Sequence, residues 1–490
     1  MKVAFVASEM VPFAKTGGLA DVTGTLCREI ASLGHDVVAF LPRYKSIDPQ
    51  RLELKVEIKR LSIPVGSENE LCRVLSYQDD KSKIRVYLVD HPEFYCRDEL
   101  YGTGLGDYPD NDRRFIYFQR AVLETIKAKN IRLDVIHCHD WQSGLIPVYL
   151  KTLYREEPVF EKVKTVLSIH NLGYQGNFPP DSMPLTGLDW DQFKMDRLEF
   201  YGKVSFLKAG ILDADAVATV SERYAEEIQT KEFSCGMDGV FRRRHDKIYG
   251  ILNGIDPDEW NPKEDYDLVA RYDGTSLEKK KENKRALQRE NRLEENEATP
   301  LVGVISRLAD QKGIDILLPA LETILDMGCQ FVLLGTGEER YHHLLREFAK
   351  KRKSQTGIHI VFDSKMAKRM YAGCDMLLLP SYYEPCGLGQ LIALRFGTIP
   401  VVRATGGLAD TIIEFDPKKG TGNGFRFEDY SSEALVAACQ RALKIYTDKK
   451  AWPKLLENAV ACDFSWTRSA KKYVELYREL AERPVKERGK

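Results

Sequence analysis

Short apolar runs alternate with longer amphipathic stretches through the first half of the chain. KVAFVAS, DVVAFLP, VYLVD, DVIHCHD, KTVLSIH, AVATVS and IYGILNG are brief, rich in Val and Ile, and bounded by polar or glycine turns. That pattern predicts buried strands. Between the first two, Asp21 to Leu33 sets Val22, Leu26, Ile30 and Leu33 at helical spacing, with Gly34 behind them as a stop. Strand–helix alternation predicts an α/β domain with a mainly parallel sheet. The pattern breaks after Asp256. Residues 263–298 are highly charged, include KKKENKR at 279–285, and read as a solvated helix and connector rather than a nucleic-acid patch. The alternation then resumes in PLVGVIS, QFVLLGTG, IHIVFD, DMLLLPS, TIPVVRA and GFRFED, predicting a second α/β domain. The expected division is residues 1–256, 257–465, and a closing helical segment 466–490 that packs back on the first domain. Open parallel sheets bind ligands at the carboxyl ends of their strands, so a cleft between two such sheets is the expected site.

Composition narrows the function classes. The 490 residues carry 72 Lys and Arg against 73 Asp and Glu, a net charge of −1. No chain-wide attraction to nucleic acid or to an anionic membrane follows. Ten cysteines are scattered without a C-x-x-C pair, which speaks against a disulfide scaffold or zinc module and for a reducing cytoplasm. MKVAFVASEM is too short an apolar run for a signal peptide and reads as a first strand. No apolar run reaches about 18 residues, so no membrane helix is expected.

The hexapeptide TGGLAD occurs twice, at 16–21 and 405–410, each time ahead of a helical pattern. Paired glycines let the backbone approach a ligand closely, and a helix start offers free N–H groups and partial positive charge to an anion. Gly17, Gly18, Thr405 and Gly406 are therefore candidate positions for binding a phosphate or other anion. Asp21 either binds ligand or complements the helix dipole. Lys15 precedes the first copy, where Ala404 precedes the second, and it adds a full charge to a phosphate-ready loop. Neither copy is a Walker loop or a G-x-G-x-x-G, and Gly335-Thr-Gly337 has Arg340 in place of a third glycine, so a dinucleotide-dependent dehydrogenase is a weak reading.

Three further stretches carry chemistry. SRLADQKG (306–313) sets Arg307 and Lys312 after a strand; taken alone the pair reads as ordinary surface charge, while at a cleft edge two cations can clamp a diphosphate leaving group without a metal. SYYEPCGLGQ follows another strand; its helix is expected to begin near Cys386, with Gly387 and Leu388 supplying N-terminal amides and Glu384 facing sugar hydroxyls or developing positive charge. Cys386 has no evident base and reads as packing. In HCHDWQ, His137 and His139 share one face of a strand, yet no third and fourth metal ligands suggest themselves. SIHNLGYQG places His170 at another strand end.

KTGGLADV, HCHDWQSGL, SIHNLGYQG, VSFLKAGILDADAVATVS, GILNGID, SRLADQKG, EPCGLGQ, VVRATGGLADT and DFSWTRSAKKYVELY together resemble, in order, the bacterial glycogen synthases, ADP-glucose-dependent retaining glycosyltransferases related to plant starch synthases. The resemblance runs from residue 15 nearly to the end of the chain. It implies the GT-B fold, two Rossmann-like domains facing a deep cleft. The first would be the acceptor side and the second the donor side. It implies transfer of glucose from ADP-glucose to the non-reducing end of an α-1,4-glucan, with no metal or other cofactor. By the same likeness Lys15 contacts the sugar nucleotide, His170 lies beside the transferred glucose, Arg307 and Lys312 hold the diphosphate, and Glu384 sits near the donor sugar. Asn253 joins the donor set, and Tyr95, Asp140 and Asn171 line the sugar or acceptor side. A front-face mechanism fits, since no nucleophile for a double displacement stands out. Two positions depart from the pattern: Ile392 stands where many relatives have a second Glu, and Phe362 where many have Tyr at the expected base site. A UDP-glucose-dependent synthase is the alternative, followed by an inactive glucan- or nucleotide-binding protein. The start at MKVAFVASE leaves no room for a plastid transit peptide, which favours glycogen in a bacterial-type cytoplasm.

Overall fold

The computed structural model describes residues 1–104 and 106–483. Residues 484–490 of the expected closing segment lie outside them. The chain forms two compact units: Met1–Val220 with Ala225–Ile251 and the chain from Trp466 onward, and Leu252–Ser465 with Ser221–Tyr224.

The first unit is built on a nine-stranded sheet. Its strands are β1 (Lys2–Val6), β2 (Asp36–Pro42), β3 (Lys55–Val65), β4 (Glu68–Gln78), β5 (Arg85–Asp90), β6 (Val135–His139), β7 (Lys164–Ile169), β8 (Ala216–Thr219) and β9 (Ile248–Gly250), in the order β9-β8-β7-β6-β1-β2-β5-β4-β3. The seven strands from β9 to β5 are parallel. They are the seven apolar runs read from the sequence, because a strand covered on both faces must be apolar at nearly every position. The hairpin β3–β4 pairs antiparallel at the sheet's edge and escaped that reading. β3 is largely solvent-facing, so its residues never form a continuous apolar run.

The second unit holds a six-stranded parallel sheet: β10 (Leu301–Ile305), β11 (Gln330–Leu334), β12 (Thr356–His359), β13 (Met376–Leu379), β14 (Ile399–Arg403) and β15 (Phe425–Phe427), ordered β12-β11-β10-β13-β14-β15. Counted from its own first strand this is 3-2-1-4-5-6, the doubly wound nucleotide-binding order. The parallel part of the first sheet counts the same way, 3-2-1-4-5-6-7. Each sheet therefore has a switch point, β1/β6 in one and β10/β13 in the other, where loops leave toward opposite faces and open a crevice at the strand ends.

Helix α1 (Gly18–Ser32) follows β1 in the first unit, and Gly34 beyond it takes φ +86°, the left-handed stop that the sequence signalled. Helix α2 (Asn111–Ala128) covers the same sheet. In the second unit α3 (Lys280–Glu290) overturns one expectation. The KKKENKR run is not simply solvated: Lys280 and Lys284 are buried. Lys280 Nζ donates to the carbonyls of Tyr371 (3.1 Å) and Ala372 (2.7 Å) and to Thr398 Oγ1 (2.7 Å), and burial pushes its pKa down to about 7. Lys284 pairs with Asp375 at 2.7 Å. Even a highly charged helix can turn lysines inward when carbonyls and a carboxylate wait there. Three shorter helices of this unit bear on the site: α4 (Ser364–Gly373), α5 (Gly389–Arg395) and α6 (Gly406–Thr411).

The last helix, α7 (Trp466–Glu482), belongs to the first unit and buries Trp466, Ala470, Tyr473, Tyr477 and Leu480 at helical spacing. Tyr477 OH lies 2.7 Å from His137 Nδ1 on β6. Among the described residues no helix is long and apolar enough to cross a membrane.

Candidate active site

In the first unit the site residues gather at the carboxyl ends of β1, β6 and β7, three neighbouring strands around the switch point. The loop after β1 is organised by Glu9, a buried residue that sequence reasoning missed. Its carboxylate accepts from the amides of Thr16 (2.5 Å) and Gly17 (3.2 Å), from Thr16 Oγ1 (2.7 Å) and from Tyr101 OH (2.7 Å). The signal available was its place in FVASE, a charged residue directly after a buried strand. Gly17 is extended at φ −154°, and no side chain caps α1. A Cβ at Gly17 would meet nothing within 4 Å, so the turn stands open. Lys15 Nζ pairs with Asp21 Oδ1 at 2.7 Å, its side chain 47% exposed. Asp21 thus sits in the first helical turn and holds the lysine beside the open loop.

Asp140 follows β6 with φ +55°, an uncommon conformation for a non-glycine residue. The strain has a local reason. Its carboxylate accepts the His170 amide at 2.8 Å and also the Asn171 amide, tying the end of β7 to that of β6. Burial raises its pKa to about 7, with the Glu9 charge adding to the rise. Asn171 Oδ1 accepts from the Gly173 amide at 2.9 Å and so shapes the following turn. His170 is partly buried, with Nε2 3.0 Å from His139 Nδ1. Burial pushes its pKa down to about 3, so the ring is neutral near pH 7. His137 and His139 do share a face, but their contacts are with one another's rings, with Ser168 and Tyr477, and with His170.

Tyr95 is a correction. It is 0% exposed, packed against Tyr44, Phe94 and Tyr117, and its OH donates to the Arg114 carbonyl at 2.7 Å. It is a core residue and lines no ligand surface, because both its ring and its hydroxyl are already engaged.

In the second unit the loops after β10, β13 and β14 lie side by side in strand order. The Tyr382 amide donates to the Gln311 carbonyl at 2.9 Å. Gly313 takes φ +71°, and a Cβ there would fall 2.0 Å from the Pro380 carbonyl oxygen. Only glycine permits that approach. Lys312 Nζ reaches Glu384 Oε2 at 2.6 Å, and Ser381 Oγ donates to the same oxygen at 2.9 Å. Arg307, on the same loop as Lys312, is exposed and bonds Gln311 Oε1 at 2.9 Å. Lys312 and the buried Glu384 carboxylate therefore meet at the β10/β13 switch point, with Arg307 on the same loop as Lys312.

The helix after Glu384 starts at Gly389, not near Cys386. Gly387 takes φ +72°, outside the right-handed helical region, so the chain turns once more between Cys386 and α5. Leu388 caps the helix without a side-chain bond. Cys386 is buried and its thiol is pushed up to about 12, which leaves no thiolate at neutral pH. Ile392 is buried inside α5. Asn253 is buried too, and its Oδ1 has no hydrogen-bond partner among the described residues. Phe362 is 85% exposed, just ahead of the Asp363 cap of α4.

The second TGGLAD copy is closed where the first is open. Gly406 has φ +44°, and a Cβ there would lie 2.0 Å from the Glu384 carbonyl oxygen. At Gly407 it would lie 2.0 Å from the Cys386 carbonyl oxygen, and the Gly407 amide already donates to the Glu384 carbonyl at 3.1 Å. Thr405, Gly406 and Gly407 are buried. The repeat predicts two equivalent phosphate-ready turns; the second instead uses its glycines to seat the Glu384 loop.

Comparison with known proteins sets this geometry in context. Residues 2–243 match the starch synthase catalytic domain family and residues 286–457 the glycosyl transferases group 1 family. A glycogen synthase from Koribacter versatilis is 45% identical over 97% of this chain and 98% of its own. One from Geotalea daltonii is 47% identical over 98% of both. The chain belongs to the glycogen synthase family. It is accordingly a hexosyltransferase that uses a nucleotide-sugar donor and a glucan acceptor. Among solved structures, the catalytic domain of starch synthase IV from Arabidopsis thaliana, bound to ADP and acarbose, aligns with TM-score 0.88 and 34% identity over 98% of this chain and 99% of that one. Sucrose-phosphate synthase from Thermosynechococcus elongatus aligns with TM-score 0.59 over 98% of both chains at 18% identity, which speaks to fold alone. The glycogen synthase fold is GT-B, as the resemblance implied.

Proposed function

We propose that this glycogen synthase transfers glucose from ADP-glucose to the non-reducing end of an α-1,4-glucan with retention of configuration, releasing ADP. The observation that carries the reading is the cluster of Arg307, Lys312 and Glu384 at the β10/β13 switch point. Two cations beside a strand end stabilise a diphosphate as negative charge grows on it. Glu384, held by Lys312 and Ser381, offers a fixed negative charge to the sugar as its anomeric carbon becomes positive. The starch synthase relative that holds ADP supports ADP as the departing nucleotide.

The first unit takes the acceptor side in this reading and the second the donor side, with Asn253, Gly387 and Leu388 assigned to the donor. Lys15, with Gly17, Gly18 and Asp21 around it, contributes a donor contact from the open turn after β1. His170 contacts the transferred glucose, while Asp140 and Asn171 fix the backbone that carries it. A front-face attack by the acceptor hydroxyl suits a site where the thiol of Cys386, two residues from Glu384, is buried and protonated and position 392 is apolar. The ten cysteines are all free, which supports a reducing, cytoplasmic setting. The test is a donor assay on glycogen with labelled ADP-glucose and UDP-glucose. Transfer from ADP-glucose is expected at a kcat/KM at least about tenfold higher, a margin of about 1.4 kcal/mol. Equal or better use of UDP-glucose would overturn the donor assignment.

A further inference from the structure

We propose that His139 is a positioning residue for His170: it donates its Nδ1–H to His170 Nε2, fixes that ring as the Nδ1–H tautomer, and makes the ring's other edge a hydrogen-bond donor. His139 ends strand β6 and is fully buried. It stacks on Phe5 (5.5 Å between centroids, 19° between planes) and against His137 at 4.1 Å. Its Nδ1 lies 3.0 Å from His170 Nε2, and its Nε2 has no hydrogen-bond partner among the described residues.

The proton's place follows from that orphan. Burial pushes both rings toward the neutral form, and two neutral imidazoles share a single proton along the N···N line. Were His170 the donor, His139 would carry its own proton on Nε2, an N–H with nothing to receive it. With His139 as the donor, Nε2 is left with only an unused lone pair. An orphaned buried N–H is the rarer defect of the two, so the proton belongs on His139 Nδ1. His170 then accepts at Nε2, and a neutral ring must carry its proton on Nδ1. The neighbouring titratable groups do not compete. His137 spends its nitrogens on Ser168 Oγ and Tyr477 OH, both 2.7 Å away. Asp140 takes backbone amides, and the Glu9 carboxylate takes the loop after β1 and Tyr101.

The consequence rests on the reading of His170 as a glucose contact. A ring presenting Nδ1–H recognises an oxygen lone pair. It has no basic nitrogen free to take the acceptor hydroxyl's proton, so His170 orients the sugar and is not the base.

The test reads the tautomer directly in the full-length, ligand-free protein labelled with 15N-histidine. Long-range 1H–15N correlations near neutral pH are assigned to His170 by their absence in His170→Gln. His170 is expected to show a protonated Nδ1 and an unprotonated Nε2. A protonated Nε2, or an even mixture, would overturn the proposal. A failure of the glucose-contact reading looks different: His170→Gln would keep wild-type kcat and KM whatever the tautomer. Variants add a kinetic arm. His139→Leu removes the donor, while His139→Asn keeps an amide N–H near the Nδ1 position. Among variants with wild-type Tm, His139→Leu should lower kcat on the order of tenfold with glucan KM unchanged, and His139→Asn should recover most of that loss. Equal losses in the two would mark a merely structural role and sink the idea.

Discussion

TGGLAD at 16–21 and TGGLAD at 405–410 both start helices, and their surroundings could hardly differ more. The first follows the first strand of its sheet, stands open at Gly17, and carries an exposed Lys15. The second follows the fifth strand of its sheet, and its glycines are filled by the backbone of residues 384–386. The two copies are therefore not topological counterparts. In the second unit, the loop after the first strand is SRLADQKG, which bears Arg307 and Lys312. The first copy leaves the space beside Gly17 open; the second gives its space to the protein's own chain. The same six letters serve both ends because glycine supplies absence of a Cβ, and what uses the vacated space is set by the tertiary contacts.

Substituting the glycines themselves puts that difference under the greatest stress. Gly407→Ala puts a methyl group against the backbone of Cys386, and backbone cannot step aside as a side chain does. We expect a loss of about 3 kcal/mol in urea unfolding, with activity falling as the Glu384 loop shifts. Gly17→Ala, extended and open, should change stability by no more than about 0.5 kcal/mol. Similar losses at both sites would mean that the first turn is packed like the second.

Glu384 tests what the closed copy is for. If its glycines exist to seat this loop, the carboxylate they help place should matter more to the reaction than to the fold. Glu384→Gln keeps the Ser381 bond and the shape but removes the charge paired with Lys312. A kcat decrease on the order of 100-fold is expected, with an unfolding free energy reduced by less than that of Gly407→Ala. Near wild-type kcat would remove Glu384 from the chemistry and leave the second copy a purely structural device.

How far the sequence reaches can be judged on particular residues. The apolar runs that became the parallel strands were legible because burial on both faces forbids polar positions. The β3–β4 hairpin was not, since one solvated face mixes the pattern. Lys280 and Lys284 misled for a related reason. Charge predicts solvent only when no buried carbonyl or carboxylate is arranged to meet it, and those partners lie far along the chain at Tyr371, Ala372, Asp375 and Thr398. Among the candidate site residues, the motifs could point to the two loops holding Arg307, Lys312 and Glu384, but not to the ion pair between them. Tyr95 entered through the resemblance alone, and its aromatic packing together with the Arg114 carbonyl that takes its hydroxyl places it in the core. Glu9 passed unnoticed because two of its partners are backbone amides, which have no sequence signature, and a third, Tyr101, lies far along the chain.

The smallest expected effect falls on the open copy, and it is the most discriminating. Lys15 and Asp21 form an exposed pair, which contributes at most about 1 kcal/mol to stability. Lys15→Ala should therefore unfold with an almost unchanged midpoint. If the open turn receives the donor, the lost charge should appear as donor binding, a rise in donor KM of about tenfold, or about 1.4 kcal/mol, with glucan KM unaffected. The paired variant Asp21→Ala separates the two roles of that aspartate. As a tether it steers Lys15, so its removal should raise donor KM by a smaller factor than Lys15→Ala. As a helix-dipole partner alone it would lower stability by a few tenths of a kcal/mol and leave donor KM where it was. An unchanged donor KM in Lys15→Ala would remove the lysine from the site, and with it the reason for reading the open turn as the one that meets a ligand.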